Sequence, residues 1–230
     1  MVKICVKTTC VAFIALAVCT MSASAGILFE TTPDLTEPTG APFSDSVSGT
    51  GQFFGSSFVI GDDSYITGLT WMGVNTGDMN KVNSFTLEIW NNGLLYDFYD
   101  VPNERLATWT VSLTDANQVN TGSQIYGLDV YNFAAELDSP FEITGGETYW
   151  LVVHGNSSSG SMFAWLQAEN RSESKGATYS VQSGEGPQWW SASRESTFTV
   201  LGAPVPEPAT ISILMLAAAI AGNRRFRHNA

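Results

Sequence analysis

No cysteine lies beyond residue 19: the three in the chain are Cys5, Cys10 and Cys19. Residues 26–203 therefore carry neither disulfides nor thiol chemistry, which excludes cysteine catalysis and cysteine-type zinc sites there. Positive charge is almost as scarce. In that stretch Lys81, Arg105, Arg171, Lys175 and Arg194 stand against twenty-one acidic side chains, a net charge of about −16. Such a field repels nucleic acid and anionic lipid and suits cations or neutral polymers, so no nucleic-acid partner is expected. Histidine in residues 26–203 is reduced to His154, and neither G-x-S-x-G nor H-E-x-x-H occurs anywhere in the chain. A serine triad and a zinc-protease helix thus lack their parts. His154 itself reads as a strand-end histidine at the surface. Long apolar runs are missing too. The segment from Ile211 to Ala221 makes a helix of about 17 Å, against a hydrocarbon core of roughly 30 Å.

What is present is concentrated first at the two ends. Lys3 and Lys7 precede an apolar stretch, Val11 to Cys19, and then the small residues Ala23-Ser24-Ala25 before Gly26. This order predicts a signal peptide over 1–25, cut by signal peptidase between Ala25 and Gly26. At the other end come Pro206-Glu207-Pro208, the apolar run 211–221, and the basic cluster Arg224, Arg225 and Arg227. A run too short for a permanent span, followed by arginines that hold its end in the cytoplasm, predicts a transient membrane hold.

This tail, residues 204–230, resembles the PEP-CTERM sorting signal of bacterial exported proteins. The resemblance implies recognition of Pro206, Glu207 and Pro208 by an exosortase-type processing enzyme. It also implies removal of the tail and delivery to the cell envelope, surface or extracellular matrix, where exopolysaccharide is a candidate partner. Arg224, Arg225 and Arg227 then act as the stop.

Between the ends, apolar residues alternate with polar ones at period two. Phe54, Ser56, Phe58 and Ile60 form one set, Phe85, Leu87 and Ile89 another, and Ala107, Trp109, Val111 and Leu113 a third. Phe198 and Val200 close the series, while Ile66–Val74, Tyr149–His154 and Phe163–Leu166 are β-rich runs. Breaks are expected at Gly61-Asp62, Asn92-Gly93, Pro102-Asn103, Gly145-Gly146 and 155–160, with Asn92-Gly93 as a hairpin turn. The pattern predicts an all-β protein, an antiparallel β-sandwich or jelly roll over 53–203, with 26–52 a loose lead-in or edge strand. Ile66-Thr67-Gly68-Leu69-Thr70-Trp71, Gly146-Glu147-Thr148-Tyr149-Trp150-Leu151 and Phe198–Gly202 also resemble a β-sandwich domain recurrent among exported PEP-CTERM proteins. That resemblance brings no activity with it.

Candidate chemistry in the body is sparse. The acids at Asp62-Asp63, Asp97, Asp100 and Asp115 sit beside turn residues, where solvation and local hydrogen bonds account for them. The oxygen-rich stretches Asp62-Asp63 and Asp97–Asp100 could contribute ligands to calcium, but no D-x-[DN]-x-[DN]-G loop is present, so no metal site is assigned, and no cofactor is expected. All seven tryptophans belong to the body. Most are expected in the core, but adjacent strand residues point to opposite faces, which makes Trp189 and Trp190 the candidate glycan contacts. The expectation is an exported, non-enzymatic structural or adhesive module. The alternatives are a lectin-like module and a glycoside hydrolase with two acids across a cleft.

Overall fold

The computed structural model describes residues 25–35, 43–46, 52–77, 81–158, 161–169, 175–181 and 187–206. Ala23, Glu207, Pro208, the run 211–221 and Arg224, Arg225 and Arg227 lie outside the described residues. Residues 25–203 form one compact unit, an all-β sandwich of two curled antiparallel sheets.

Twelve strands occur among the described residues: β1 (Gly26–Glu30), β2 (Phe53–Val59), β3 (Ser64–Asn75), β4 (Val82–Leu95), β5 (Tyr99–Ser112), β6 (Val119–Ile125), β7 (Leu128–Ile143), β8 (Thr148–Ser157), β9 (Phe163–Trp165), β10 (Gly176–Val181), β11 (Pro187–Ala192) and β12 (Phe198–Pro204). The first sheet runs β1-β12-β3-β7-β6, with β9 added on β3; the second runs β11-β10-β2-β8-β4-β5. The segment after Gly26 is an edge strand here, pairing antiparallel to β12.

Period-two alternation explains the main core. Phe54 and Phe58 of β2, Phe85, Leu87 and Ile89 of β4, and Leu151 and Val153 of β8 point inward from the second sheet. They meet Ile66, Leu69 and Trp71 of β3, Phe133 of β7 and Phe198 of β12. Trp71 stacks on Phe133 at 5.6 Å between ring centroids and meets Phe85 edge-on at 5.1 Å, which locks the two sheets face to face.

Three turn expectations are corrected, the first being the break at 155–160, since β8 runs on through Gly155 to Ser157. Asn92 and Gly93 are not a turn; both lie inside β4, opposite Pro102 and Val101 of β5. The hairpin closes later, at Tyr96 and Asp97, whose φ values of 53° and 60° put both in the left-handed region. Gly93 serves close approach instead: a Cβ there would lie 2.5 Å from Cβ of Asn103. Asn92 is held by its side chain, which accepts from Trp150 Nε1 at 2.9 Å and donates to Asp100 at 2.8 Å. Pro102-Asn103 likewise belongs to β5, near register shifts that tolerate a proline in a ladder.

Candidate functional site

The second sheet has a face that points away from the main core, yet this face is also covered. Cross-strand pairing puts Thr86, Glu88 and Trp90 of β4 beside His154, Val152 and Trp150 of β8. On the same face follow Phe53 and Gly55 of β2, Ala177 and Tyr179 of β10, and Trp189 of β11. The sheet curls so far that β11, at one edge, touches β4 and β5 at the other. Its concave side thereby encloses a second apolar cluster of Val101, Trp150, Val152, Ala177 and Trp189.

Aromatic rings line this concavity in sequence. Phe53 lies against the His154 imidazole at 4.3 Å and stacks on Tyr179 at 5.7 Å. Tyr179 meets Trp189 at 5.3 Å, and Trp189 meets Trp90 edge-on at 5.6 Å. Trp90 then closes toward charge: its Nε1 donates to Glu88 at 3.0 Å, and Arg105 donates to the other carboxylate oxygen of Glu88 at 2.8 Å. Glu88 is only 6% exposed, whereas half of the Arg105 side chain reaches solvent. An ion pair of this kind is open on its cationic side. The rim opposite is fastened by Lys175, which pairs with Asp100 and holds that carboxyl below its ordinary range.

His154 corrects the surface reading. It lies within β8, 9% exposed, because the curled sheet covers both faces of that strand. Burial pushes its pKa below the usual 6.5, opposed by the negative charges of Glu88 and Asp45. Its Nδ1 makes no hydrogen bond of acceptable geometry, and the same holds for Nε1 of Trp189. Each such buried polar atom costs about 1–3 kcal/mol.

Trp189 and Trp190 do point to opposite faces. Trp189, 8% exposed, belongs to the concave cluster; Trp190 is half-buried and donates from Nε1 to the Ser180 carbonyl at 3.3 Å. Trp71, Trp150 and Trp165 are fully buried. The turn-side reading of the acids holds for Asp63, which accepts from the Gly145 amide at 2.8 Å, and for Asp115, capped by Ser112. Glu88 and Asp45, outside that reading, are buried; Asp45 accepts from Ser157 Oγ and from the Phe163 amide.

A separate cleft of about 370 Å³ lies on the outer face of the first sheet, lined by residues that include Glu30, Thr70, Met72, Thr121, Asn132 and Thr199. Glu30 is its single carboxylate, so it does not supply the two acids that glycoside hydrolysis needs. Among the described residues no group of three or more His, Cys, Asp or Glu side chains converges for a metal. Of the sequence candidates, Ala25 and Gly26 lie exposed at the start of the fold, and Pro206 lies exposed just past its end. Glu88, Arg105 and His154 were not singled out together by the sequence, since 17 and 66 residues separate Glu88 from the other two and only the strand pairing unites them.

Comparison with protein-family models and with curated proteins finds no match to this chain. The resemblance of its tail and body therefore rests on the residues quoted for it.

Proposed function

We propose that the chain is an exported cell-surface or extracellular-matrix protein whose β-sandwich is a structural or adhesive module without catalytic activity. One observation carries the reading. Strand pairing begins at Gly26, directly after Ala23-Ser24-Ala25, and ends at Pro204, just ahead of Pro206-Glu207-Pro208. The folded unit thus lies in the interval between two expected processing points, and cutting at both would leave every strand among the described residues intact. The acid-rich body, without cysteine, depends on packing and hydrogen bonding for its stability, and it suits neutral rather than anionic surroundings.

The test is the intact mass of the exported protein. Processing at both ends gives a product that starts at Gly26 and lacks the arginine cluster. Glu207→Ala, or removal of Arg224, Arg225 and Arg227, leaves a longer, membrane-retained precursor. Normal maturation of those variants would refute the proposal.

A further inference from the structure

We propose that the open rim of the second sheet's concave face, where Arg105 and the β4–β5 hairpin reach solvent, binds a neutral polysaccharide, whose sugar rings stack on the exposed aromatic side chains of that rim and whose hydroxyls meet Arg105. The inference rests on the adhesive part of the reading above and names the class of ligand.

Four observations converge on it. First, Phe53, Tyr179, Trp189 and Trp90 form a continuous aromatic row, and flat rings offer the apolar C–H faces of a pyranose a surface to stack on. Second, a carboxylate and a guanidinium stand side by side at the end of that row. Glu88 holds the guanidinium in place from its buried side, with both carboxylate oxygens engaged by Trp90 and Arg105. Arg105 is exposed enough to turn its remaining N–H groups toward a ligand. Third, Trp189 Nε1 and His154 Nδ1 are buried on this face without hydrogen-bond partners. Trp71 Nε1 is also unpartnered, on the first sheet, where Trp71 lines a cleft with Glu30. Polar atoms clustered on one face beside an ion pair point to a recognition surface rather than to an isolated packing defect.

The fourth observation is the β4–β5 hairpin, which extends the face into solvent. Leu95 packs on the concave cluster, and its partner across the hairpin is the exposed Tyr99. Beside it Phe98 is 83% exposed, with Tyr96 and Leu94 also open. Tyr96 holds a left-handed φ that asparagine or glycine would adopt with less strain. Phe98, Tyr99 and Leu94 together make an exposed apolar patch on the hairpin tip, the kind of surface that marks a contact.

Charge narrows the ligand. A body of net charge about −16, with Asp97 at the tip itself, repels acidic polymers and anionic membranes. A neutral polymer is indifferent to that field, and it forms stacking and hydroxyl contacts without desolvating an ion of its own.

The test is affinity electrophoresis of the full-length protein through gels that contain a neutral β-glucan, a mannan or a dextran. Alginate serves as the acidic counterpart, and co-sedimentation with phosphatidylcholine vesicles as the lipid arm. Retardation by at least one neutral polymer is expected, with none by alginate and no co-sedimentation. The double change Phe98→Ala/Tyr99→Ala and the single change Arg105→Ala should each weaken binding about tenfold. All three side chains reach solvent, so the fold survives, and an unchanged far-ultraviolet spectrum checks this. Tyr126→Ala, at an exposed tyrosine of the β6–β7 hairpin, should leave binding unchanged. Failure of all three neutral polymers to retard the protein overturns the proposal. So does equal retardation of the variants and the wild type, or binding to alginate or vesicles instead. Failure here with normal maturation of the exported protein leaves the export reading standing, because the two measurements share no residue.

Discussion

The two aromatic layers of this protein lie on opposite faces of the second sheet, and they differ in kind. The layer between the sheets is made of Phe58, Phe85, Phe133, Phe163 and Trp71 with aliphatic neighbours, and the buried Asp45 borders it at the Phe163 amide. The layer inside the curled second sheet is smaller and mixes Trp90, Trp150 and Trp189 with a carboxylate, a guanidinium and an imidazole. Burial of apolar area accounts for most of the first layer, in which Nε1 of Trp71 also lacks a partner. It does not account for the second, where Glu88 is buried at a desolvation cost and two ring nitrogens lack partners. Groups that cost stability and stay together on one face are better explained by what the face contacts than by what it stabilises.

Mutations can break or sharpen that contrast. The largest effect is expected in the first layer. Phe85→Ala removes a ring that touches Trp71, Phe133 and Phe163 at once, and it should cost about 3–5 kcal/mol in urea unfolding. In the second layer Arg105→Ala should cost less, about 1–2 kcal/mol. Glu88 keeps the Trp90 indole as a donor, and the lost cation was half in water. A cost for Arg105→Ala as large as that for Phe85→Ala would erase the distinction between the layers.

A pH titration separates them as well. The folded-state pKa of His154 lies below 6.5 because burial disfavours the imidazolium, so the unfolded chain takes up that proton more readily. Its contribution to stability is therefore complete above about pH 6.5 and is lost as the pH falls below that value. The thermal midpoint should drop between pH 7 and pH 5, and His154→Gln should flatten this slope. An equally steep slope in the variant would assign the effect to other groups. The smallest effect is a gain. Replacing Tyr96-Asp97 by Asn-Gly relieves the left-handed tyrosine and should stabilise the protein by about 1 kcal/mol in thermal unfolding.

The first layer was legible in the sequence and the second was not, for one physical reason. Alternation marks a strand with one covered face, as in Phe54–Ile60, Phe85–Ile89 and Ala107–Leu113, and those strands lie where the period-two pattern put them. Where the sheet curls over itself both faces are covered, and alternation disappears. Tyr149–His154 carries buried residues at every position, so nothing in the run distinguished the concave side from the core. For that reason His154 looked like a surface residue. Trp189 and Trp190 were legible as a pair that splits between faces, but the curvature that brings Trp189 to Trp90 is set by pairings far apart in the chain. The Asn92-Gly93 signal misled because the strand continued through it, held by the indole of Trp150 and by the close approach of Asn103. The β6–β7 hairpin, polar along β6, offered too little alternation to be seen.

The most direct test of the account uses the indole N–H resonances of the tryptophans, assigned by single Trp→Phe changes and followed while soluble oligosaccharides of β-glucan, mannan and dextran are added. The account predicts that with at least one of them Trp189 and Trp90 shift together while Trp71 and Trp165 stay in place. If the core indoles move as far as the concave ones, or if no indole moves with any of the three, the second layer is packing alone and the account is wrong.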